Sequence, residues 1–384
     1  MKSINVPVIM SHSVLTKRYS WGYEYLSELA DEFERKLGYL KKKRYHTIGL
    51  KELYEYMKYG KTIPTRSIIL TFDDGYLDNW VVVYPLLKKY GFKGVIFVNA
   101  EFVDPAQECR YNLEDLRESR CGLQDIEELG FLSWPEMREM ERSGVIDIQS
   151  HSSTHTWYFK NNVIVDFHHP GDQCKYPWLA WNAKPDQQYR WMTDNQEKFV
   201  PYGTPIYEYE RALGVRRYYE DIAVNSFLTN HVNSHGKDNY FEKNGWKDNL
   251  FRIVNQFREE HTCDGRYETV AEYESRVRHE LTENKRILEE KLNKEVEFLC
   301  WPGGVYNETT LKIAKECGYI ASTVKEGRNS FDDDPSKINR ISSGNPEGAN
   351  AFPWRYKILT FAFYIERFRG NKLCCIIDRI YRLK

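Results

Sequence analysis

Strand-like and helix-like segments alternate along the first 155 residues, and this alternation is the strongest constraint on the fold of the 384-residue chain. The apolar runs NVPVIMSH, SIILTF, KGVIFVN and VIDIQSH have the length and composition of buried strands. Segments with apolar residues at helical spacing lie between them. Because strands that alternate with helices usually pair in parallel, the pattern predicts an α/β fold built on a parallel sheet or barrel.

The helix patterns have recognisable ends. The first pattern covers residues 24–43, and its apolar residues share one face: Leu26, Leu29, Phe33, Leu37 and Leu40. Gly60 and Gly91 follow two further patterns, and glycine commonly ends a helix. Ser133 precedes another pattern and is a typical N-cap residue. We therefore predict helices that end at the two glycines and one that begins after Ser133.

The alternation stops at about residue 156. From there to residue 270 the chain is rich in Tyr, Trp, Asn, Lys and Asp, and a loop of that length is unusual in a compact domain. The aromatic residues predict an ordered insertion with a small core of its own. We divide the chain into a first part of the barrel, residues 1–155; an insertion over the active site, 156–270; a second part of the barrel, 271–350; and a basic amphipathic tail, 351–384.

Four predicted strands end in polar or glycine-rich residues. His12 ends the first strand, Asp73 and Asp74 follow SIILTF, His151 follows VIDIQS, and residues 301–304 (WPGG) follow VEFLC. Active sites of parallel sheets and barrels lie at the carboxyl ends of the strands. These residues are therefore expected to meet at one site.

The histidines and carboxylates have the composition of a metal site. Three residues separate His151 from His155, and two histidines with one carboxylate commonly bind Zn, Fe, Co or Ni. If Asp74 is that carboxylate, the metal offsets the cost of the adjacent Asp73 carboxylate. Asp73 could then stay ionised and accept a proton from a water molecule on the metal. The alternative for the Asp-Asp-Gly sequence is a turn with one helix-capping Asp.

The segments TFDDGY, SHSSTH and WPGG, in this order and context, resemble the motifs of the polysaccharide deacetylase family (NodB-homology domain, carbohydrate esterase family 4). VPVIMSHSV and LSWPEMREMERSGVIDIQSHSSTH are similar to the branch that de-N-acetylates exopolysaccharides. The resemblance extends over residues 4–155 and 270–343.

The resemblance implies a distorted (β/α) barrel and metal-dependent hydrolysis of the N-acetyl group of an amino sugar in a glycan or glycan precursor. By position, Asp73 is the base, and Asp74, His151 and His155 bind a divalent metal, which is Zn or alternatively Co or Ni. The backbone N–H of Gly303 is a donor to the oxyanion. Six aromatic residues of the insertion could line sugar subsites, although we expect most of them to form its core: Trp157, Trp178, Trp181, Trp191, Tyr202 and Tyr207.

Two departures from the family pattern leave roles open. The third motif usually has Pro followed by Tyr, sometimes with an upstream Arg, whereas residues 300–304 read CWPGG. Arg340 is predicted to supply a cation beside Asp73, and the alternative is a surface arginine. The late Leu-x-x-His that provides the general acid in many members is absent after this motif. His12 is our candidate for the acid, and a buried structural histidine is the alternative for it. His168 and His169 of the insertion are further candidates for the acid.

Composition limits the partners. The formal charge of −1 gives no electrostatic case for nucleic acid. Residues 356–384 carry seven basic and two acidic side chains at helix-like spacing, which indicates either peripheral contact with an anionic membrane or a helix packed on the barrel. Without a recognisable export signal, we expect a cytoplasmic protein, peripheral at the inner membrane face, that acts on a lipid-linked or nucleotide-linked amino sugar. A formamido-sugar deformylase and a catalytically silent glycan-binding relative are the alternative functions.

Overall fold

The computed structural model describes residues 4–263, 265–325, 327–343 and 354–382. The strands are β1 Val8–Ser11, β2 Ser13–Leu15, β3 Ser27–Leu29, β4 His46–Thr47, β5 Ser67–Phe72, β6 Gly94–Val98, β7 Ile146–Ser150, β8 Trp157–Phe167, β9 Pro205–Arg211, β10 Tyr218–Tyr219, β11 Arg266–Tyr267, β12 Phe298–Leu299, β13 Ala321–Val324, β14 Lys337–Asn339 and β15 Ile341–Ser342. The helices are α1 Ala30–Lys42, α2 Leu50–Tyr59, α3 Tyr84–Tyr90, α4 Leu113–Arg117, α5 Trp134–Arg142, α6 Pro177–Ala183, α7 Ile222–Ser234, α8 Trp246–Glu260, α9 Val270–Leu292, α10 Glu308–Glu316, α11 Trp354–Phe368 and α12 Lys372–Arg382.

The main sheet is parallel throughout and nearly closes on itself. Its strands pair in the order β14-β13-β12-β7-β6-β5-β1-β15, with β4 paired to the start of β5. The two end strands are consecutive in the chain, and only Arg340 separates them. The predicted distorted (β/α) barrel is confirmed, and Arg340 lies at the seam where the row of strands meets itself.

The strand register brings the predicted functional residues to one edge. Ser11 at the end of β1 pairs with Phe72 at the end of β5, and Val98 of β6 pairs with Ser150 of β7. The next residues along the chain, His12, Asp73 and His151, therefore leave the sheet at its carboxyl edge.

Strands β5 and β6 are buried on both faces, which explains why their sequences are continuously apolar rather than alternating. All six residues of β5 are buried. One large core cluster includes Val8, Ile69, Val95, Phe97 and Phe298. Because the strand interiors are apolar, the polar side chains of the predicted site lie at the strand ends.

Most predicted helix ends are confirmed. Gly60 and Gly91 adopt left-handed φ angles of 68° and 70° after α2 and α3. The Ser133 N–H donates to the Glu136 carboxylate at the start of α5. The predicted start of the first helix at residue 24 is wrong.

The chain before α1 is extended because Ser27–Leu29 pairs in parallel with β2 as strand β3. This strand pairing takes up the backbone groups that a longer helix would use. The later residues of the predicted apolar face are buried in α1 as expected: Phe33, Leu37 and Leu40.

The chain divides into two compact units, and the second comprises residues 154–281 and 305–313. Within it, β8 and β9 form an irregular antiparallel pair. Its own apolar core contains Phe167, Val224, Leu228, Val232, Tyr240, Leu250 and Val254. The predicted insertion, residues 156–270, falls within this unit, which extends beyond it. Four of the six candidate sugar-lining aromatics are buried, namely Trp178, Trp181, Trp191 and Tyr207.

The first unit comprises residues 1–153, 282–304 and 314–384. In its C-terminal part, α11 packs on α1: Lys357 Nζ lies 2.7 Å from Glu32 Oε1, and the Phe361 ring contacts Tyr39 at 6.4 Å between ring centroids. In α12, Leu373 and Ile376 are exposed. Within the described part of the chain, no helix combines the length and the apolar character needed to cross a membrane.

Candidate catalytic site

The turn after β5 separates the two neighbouring carboxylates. The Asp73 N–H donates to the Ser11 carbonyl at 3.0 Å, which continues the pairing of β1 with β5. Asp74 and Gly75 then adopt positive φ angles of 74° and 71°. A left-handed φ is uncommon for a residue with a side chain, and clusters at functional sites. The sharp turn lets the two carboxylates contact different partners.

Asp73 forms a buried bidentate ion pair with Arg340. Its two carboxylate oxygens lie 2.6 and 2.7 Å from Nη1 and Nη2 of the guanidinium. Burial alone would raise the pKa of Asp73, but the charge and hydrogen bonds of Arg340, together with the nearby His151 and His12, lower it below its usual value. Asp73 is therefore ionised at neutral pH. The structure places Arg340 where the sequence predicted a cation.

Cys300 completes this pair. Its Sγ lies 2.9 Å from Arg340 Nη2 and 3.5 Å from Asp73 Oδ2. Cys300 stands two residues before Pro302, where the departure from the family motif was noted. Its small side chain leaves room for a guanidinium that arrives from the barrel seam instead.

His151 and Asp74 form the part of the site suited to a metal. His151 Nδ1 lies 2.8 Å from the Cys300 carbonyl, which can only accept, so Nδ1 carries the proton. Nε2 then faces Asp74 Oδ1 at 3.2 Å. Two acceptors at this distance require a proton or a cation between them. A carboxylate and an imidazole oriented through its other nitrogen are a suitable donor set for a divalent metal.

The charge around His151 agrees with this fit. Burial alone would lower the pKa of His151, but Cys300 and the carboxylates of Asp74 and Asp73 raise it well above its usual value. Ligand atoms of Asp73, His151 and Cys300 also lie within 4.8 Å of one another. A metal at that second group would meet the Arg340 cation, so the Asp74 side is electrostatically favoured.

His12 lies near Asp73, with Nε2 at 3.9 Å from Asp73 Oδ2. The loop that carries it is tied to the segment after the Asp pair, because Asn79 Nδ2 donates to the His12 carbonyl at 3.0 Å. Asp78 accepts from the Ser13 hydroxyl at 2.6 Å. Burial raises the pKa of Asp78 to about 7. Sequence reasoning missed Asp78 and Asn79, although two polar residues inside the apolar stretch YLDNWVVVYPLL were a usable signal.

Gly303 and His155 are the two predicted site residues that remain, and each has its own set of contacts. Gly303 is exposed at φ 59°, in a short turn in which the Gly304 N–H donates to the Trp301 carbonyl at 2.8 Å. His155 is in the second unit, where its Nδ1 lies 3.2 Å from Arg211 Nη1 and its ring contacts Trp157. The roles of Gly303 and His155 stay predictions.

Two other groups of histidines in the second unit have structural surroundings. Both ring nitrogens of the buried His168 are engaged, Nδ1 by Asp172 at 3.0 Å and Nε2 by the Glu197 carbonyl at 2.7 Å. His231 and His235 repeat the His-x3-His spacing and stack on each other with ring centroids 4.0 Å apart. Across the described residues, neither of these two belongs to a group of three close metal-ligand atoms.

The fold and this site define a barrel protein with titratable residues at the carboxyl ends of its strands. The sequence model of the polysaccharide deacetylase family matches residues 60–205 and 228–322, which is more than half of the chain. The chain belongs to the polysaccharide deacetylase family.

Similar curated proteins match over shorter stretches. The poly-β-1,6-N-acetyl-D-glucosamine N-deacetylase of Escherichia coli K12 is 23% identical over 128 residues, which cover 33% of this chain and 18% of the relative. The enzyme of that name from Staphylococcus aureus MRSA252 is 28% identical over 131 residues, covering 34% and 39%. The chain thus spans less than half the length of these relatives.

Solved structures share the fold. A de-N-acetylase from Aggregatibacter actinomycetemcomitans has a TM-score of 0.52 at 16% identity, with 88% of this chain and 94% of that chain covered. The deacetylase domain of BpsB from Bordetella bronchiseptica has a TM-score of 0.51 at 19% identity, with coverage of 88% and 95%. At these identities the similarity supports the fold.

Proposed function

We propose that the protein is a metal-dependent hydrolase that removes the N-acetyl group from an amino sugar in a glycan or glycan precursor. The observation that carries this proposal is the division of labour between the two carboxylates. Asp73 is held ionised by Arg340, while Asp74 faces the Nε2 atom of an oriented His151. A base beside a metal-ligand pair is the arrangement that amide hydrolysis needs.

In this mechanism Asp74, His151 and His155 hold a divalent cation, for which Zn is our first choice and Co or Ni are alternatives. When bound, such a cation polarises the acyl carbonyl and acidifies water. Asp73 accepts the proton of the attacking water, and Arg340 keeps the carboxylate oriented. The other assignments are the Gly303 N–H as a donor to the oxyanion and His12 as the acid for the leaving amine.

The proposed substrate is an amino-sugar glycan. Relatives of the chain are named for poly-β-1,6-N-acetyl-D-glucosamine, which supports this substrate class. Lipid-linked and nucleotide-linked amino sugars are the forms we propose for a cytoplasmic enzyme.

Acetate release from N-acetylglucosamine oligomers by the purified, metal-analysed protein tests the proposal. We expect Asp73→Asn to lower kcat/KM by at least about 100-fold, because it removes the general base. Asp332→Asn changes an exposed aspartate of the same unit and should leave the rate unchanged. If Asp73→Asn keeps full activity, Asp73 is not the base. If the protein releases only formate, from formamido sugars, the proposed acetyl group is wrong and the protein is a deformylase.

We further propose that the C-terminal helices contact the anionic inner face of a membrane. Leu359, Leu373 and Ile376 are exposed, and the exposed cations Lys372 and Arg379 lie on the same short helix as the last two. Apolar side chains beside cations fit the boundary between anionic headgroups and acyl chains.

A further inference from the structure

Arginine and tyrosine side chains alternate in a continuous stack within the second unit. Arg276 lies over the Tyr158 ring at 4.9 Å, and Arg217 lies over the same ring at 4.4 Å. Arg217 also lies 4.7 Å from the Tyr219 ring, over which Arg266 lies at 4.4 Å. The central guanidinium, that of Arg217, is therefore held between two aromatic rings.

The two outer arginines of this stack are neutralised by carboxylates. Arg276 Nε lies 2.7 Å from Glu268 Oε1, and Arg266 Nη1 lies 3.0 Å from Glu272 Oε2. Arg217 differs, because only its backbone N–H donates to Glu268, at 2.8 Å. Within the described residues, no protein group accepts a hydrogen bond from its guanidinium. A half-buried cation thus keeps its donors available.

The nearby Glu220 does not remove this charge. Its carboxyl accepts from Asn225 Nδ2 at 3.0 Å rather than pairing with Arg217. Burial raises the pKa of Glu220 to about 7, and Arg217 offsets only part of this effect. Near neutral pH the positive charge of Arg217 is therefore only partly balanced.

We infer that Arg217 binds an oxyanion, a phosphate or carboxylate group carried by the glycan. This inference rests on the proposed function and specifies its substrate class. A guanidinium presents its N–H donors in a planar fork that matches both anions, and stacking between rings fixes that plane before the ligand arrives. Less side-chain entropy is then lost on binding.

The position of the stack in the second unit suits a substrate contact. Tyr158 follows the proposed metal ligand His155 by three residues, so their Cα atoms are at most about 11 Å apart. The strand alternates its faces: Trp157 and Phe159 contact Trp181 and Trp178, whereas Tyr158 faces the arginines. Arg217 therefore stacks on a residue close in sequence to the proposed ligand His155.

Calorimetric titration of the full chain with three tetrasaccharides tests the inference. The ligands are the neutral N-acetylglucosamine tetramer, the same tetramer with a terminal phosphate, and a hyaluronan tetrasaccharide with carboxylates. We expect at least one anionic ligand to bind about tenfold more tightly than the neutral one, and its identity tells phosphate from carboxylate. Arg217→Gln should abolish the preference, whereas Arg252→Gln, at an exposed arginine of α8, should retain it.

Equal affinity for all three ligands, or a preference that survives Arg217→Gln, would overturn the inference. If Arg217→Gln does not fold, competition on the wild-type protein replaces it: inorganic phosphate should weaken binding of the anionic ligand and leave the neutral one unaffected. Acetate release from the neutral tetramer is measured in parallel. Absence of release together with an Arg217-dependent preference would reject the proposed function and leave the anion site standing.

Discussion

At the scale of single residues, the charge of Asp73 depends on Arg340. Replacing Arg340 by Gln leaves a buried carboxylate without its cation, so the pKa of Asp73 should rise. The paired Asp73 has a lowered folded-state pKa, so it stabilises the protein above its unfolded-state pKa, and this contribution is lost as pH falls through the folded-state pKa. We expect the acid limb of the kcat/KM profile to move to higher pH and the free energy of unfolding to fall by about 3–5 kcal/mol.

The pH–rate profile and urea unfolding measure these two effects. Arg340→Lys is the matched variant, because it keeps the charge and loses the bidentate geometry. Its acid limb should lie closer to that of the wild type than the limb of Arg340→Gln does. An acid limb that stays in place in Arg340→Gln would contradict the assigned role.

Gly75 should be hard to replace for two separable reasons. Its φ of 71° disfavours any side chain, and a Cβ would lie 3.2 Å from Val98 Cγ2. Gly144→Ala is the control, since Gly144 has a φ of 70° and open space around its Cβ position. We expect Gly144→Ala to cost about 1–2 kcal/mol from backbone conformation and Gly75→Ala to cost more. Equal losses of unfolding free energy in the two variants, measured by thermal unfolding, would show that the Val98 side chain moves to make room for the new methyl group.

Sequence reasoning selected candidate residues from motifs and missed residues whose surroundings depend on distant contacts. Arg340 was predicted because the CWPGG segment left a cation unaccounted for. Asp78 and Asn79 were missed because their partners, Ser13 and His12, lie 65 and 67 residues away in sequence. Local sequence patterns do not show which distant segment a buried carboxylate will contact through hydrogen bonds.

At the scale of elements, His168 ties the end of β8 to the loops after it. Burial alone would lower its pKa, but Asp172 raises it, so the folded second unit favours the charged ring. The stabilising contribution is complete below the unfolded-state pKa, about 6.5, and is lost as pH rises through the higher folded-state value. We expect hydrogen exchange in this unit to become faster relative to the first unit above neutral pH.

Hydrogen exchange followed by mass spectrometry between pH 6 and 9, corrected for intrinsic rates, checks this prediction. His168→Gln should remove the pH dependence of protection in β9. The residue before this strand is Thr204, whose carbonyl accepts a hydrogen bond from the backbone N–H of His168. His231→Gln, at a partly exposed histidine of the same unit, should leave it intact. A pH dependence that persists in His168→Gln would assign it to another group.

Elements were predictable where the apolar pattern alone decides them. The continuously apolar strands and the glycine-ended helices follow from local sequence. The start of α1 did not follow, because pairing of Ser27–Leu29 with β2 overrides the helical spacing of Leu26 and Leu29. Pairing with another strand decides whether such an ambiguous segment forms a helix or a strand, and a local sequence pattern does not identify the pairing strand.

At the scale of the whole molecule, the order of strands and helices predicted the barrel, but not the place at which the sheet closes. The β14–β15 junction places Arg340 at the seam, which only the completed sheet reveals. The chain also carries a surface that the proposed chemistry does not use. This surface, the exposed apolar residues of α11 and α12, leads to a prediction about location.

Replacing Leu373 and Ile376 together by Glu should reduce sedimentation with vesicles that contain phosphatidylglycerol by at least about tenfold. The change removes two exposed apolar side chains and places negative charge beside anionic lipid. Leu123→Glu is the control, because Leu123 is also exposed, at 71% against 66% for Leu373 and 57% for Ile376, and lies far from these helices in sequence. The wild-type protein should bind pure phosphatidylcholine vesicles more weakly and should be released from anionic vesicles by salt.

Equal sedimentation of the double variant and the wild type would mean that α12 does not contact the lipid. Acetate release from soluble oligomers should be unchanged in the double variant, because α12 contributes no residue to the proposed chemistry.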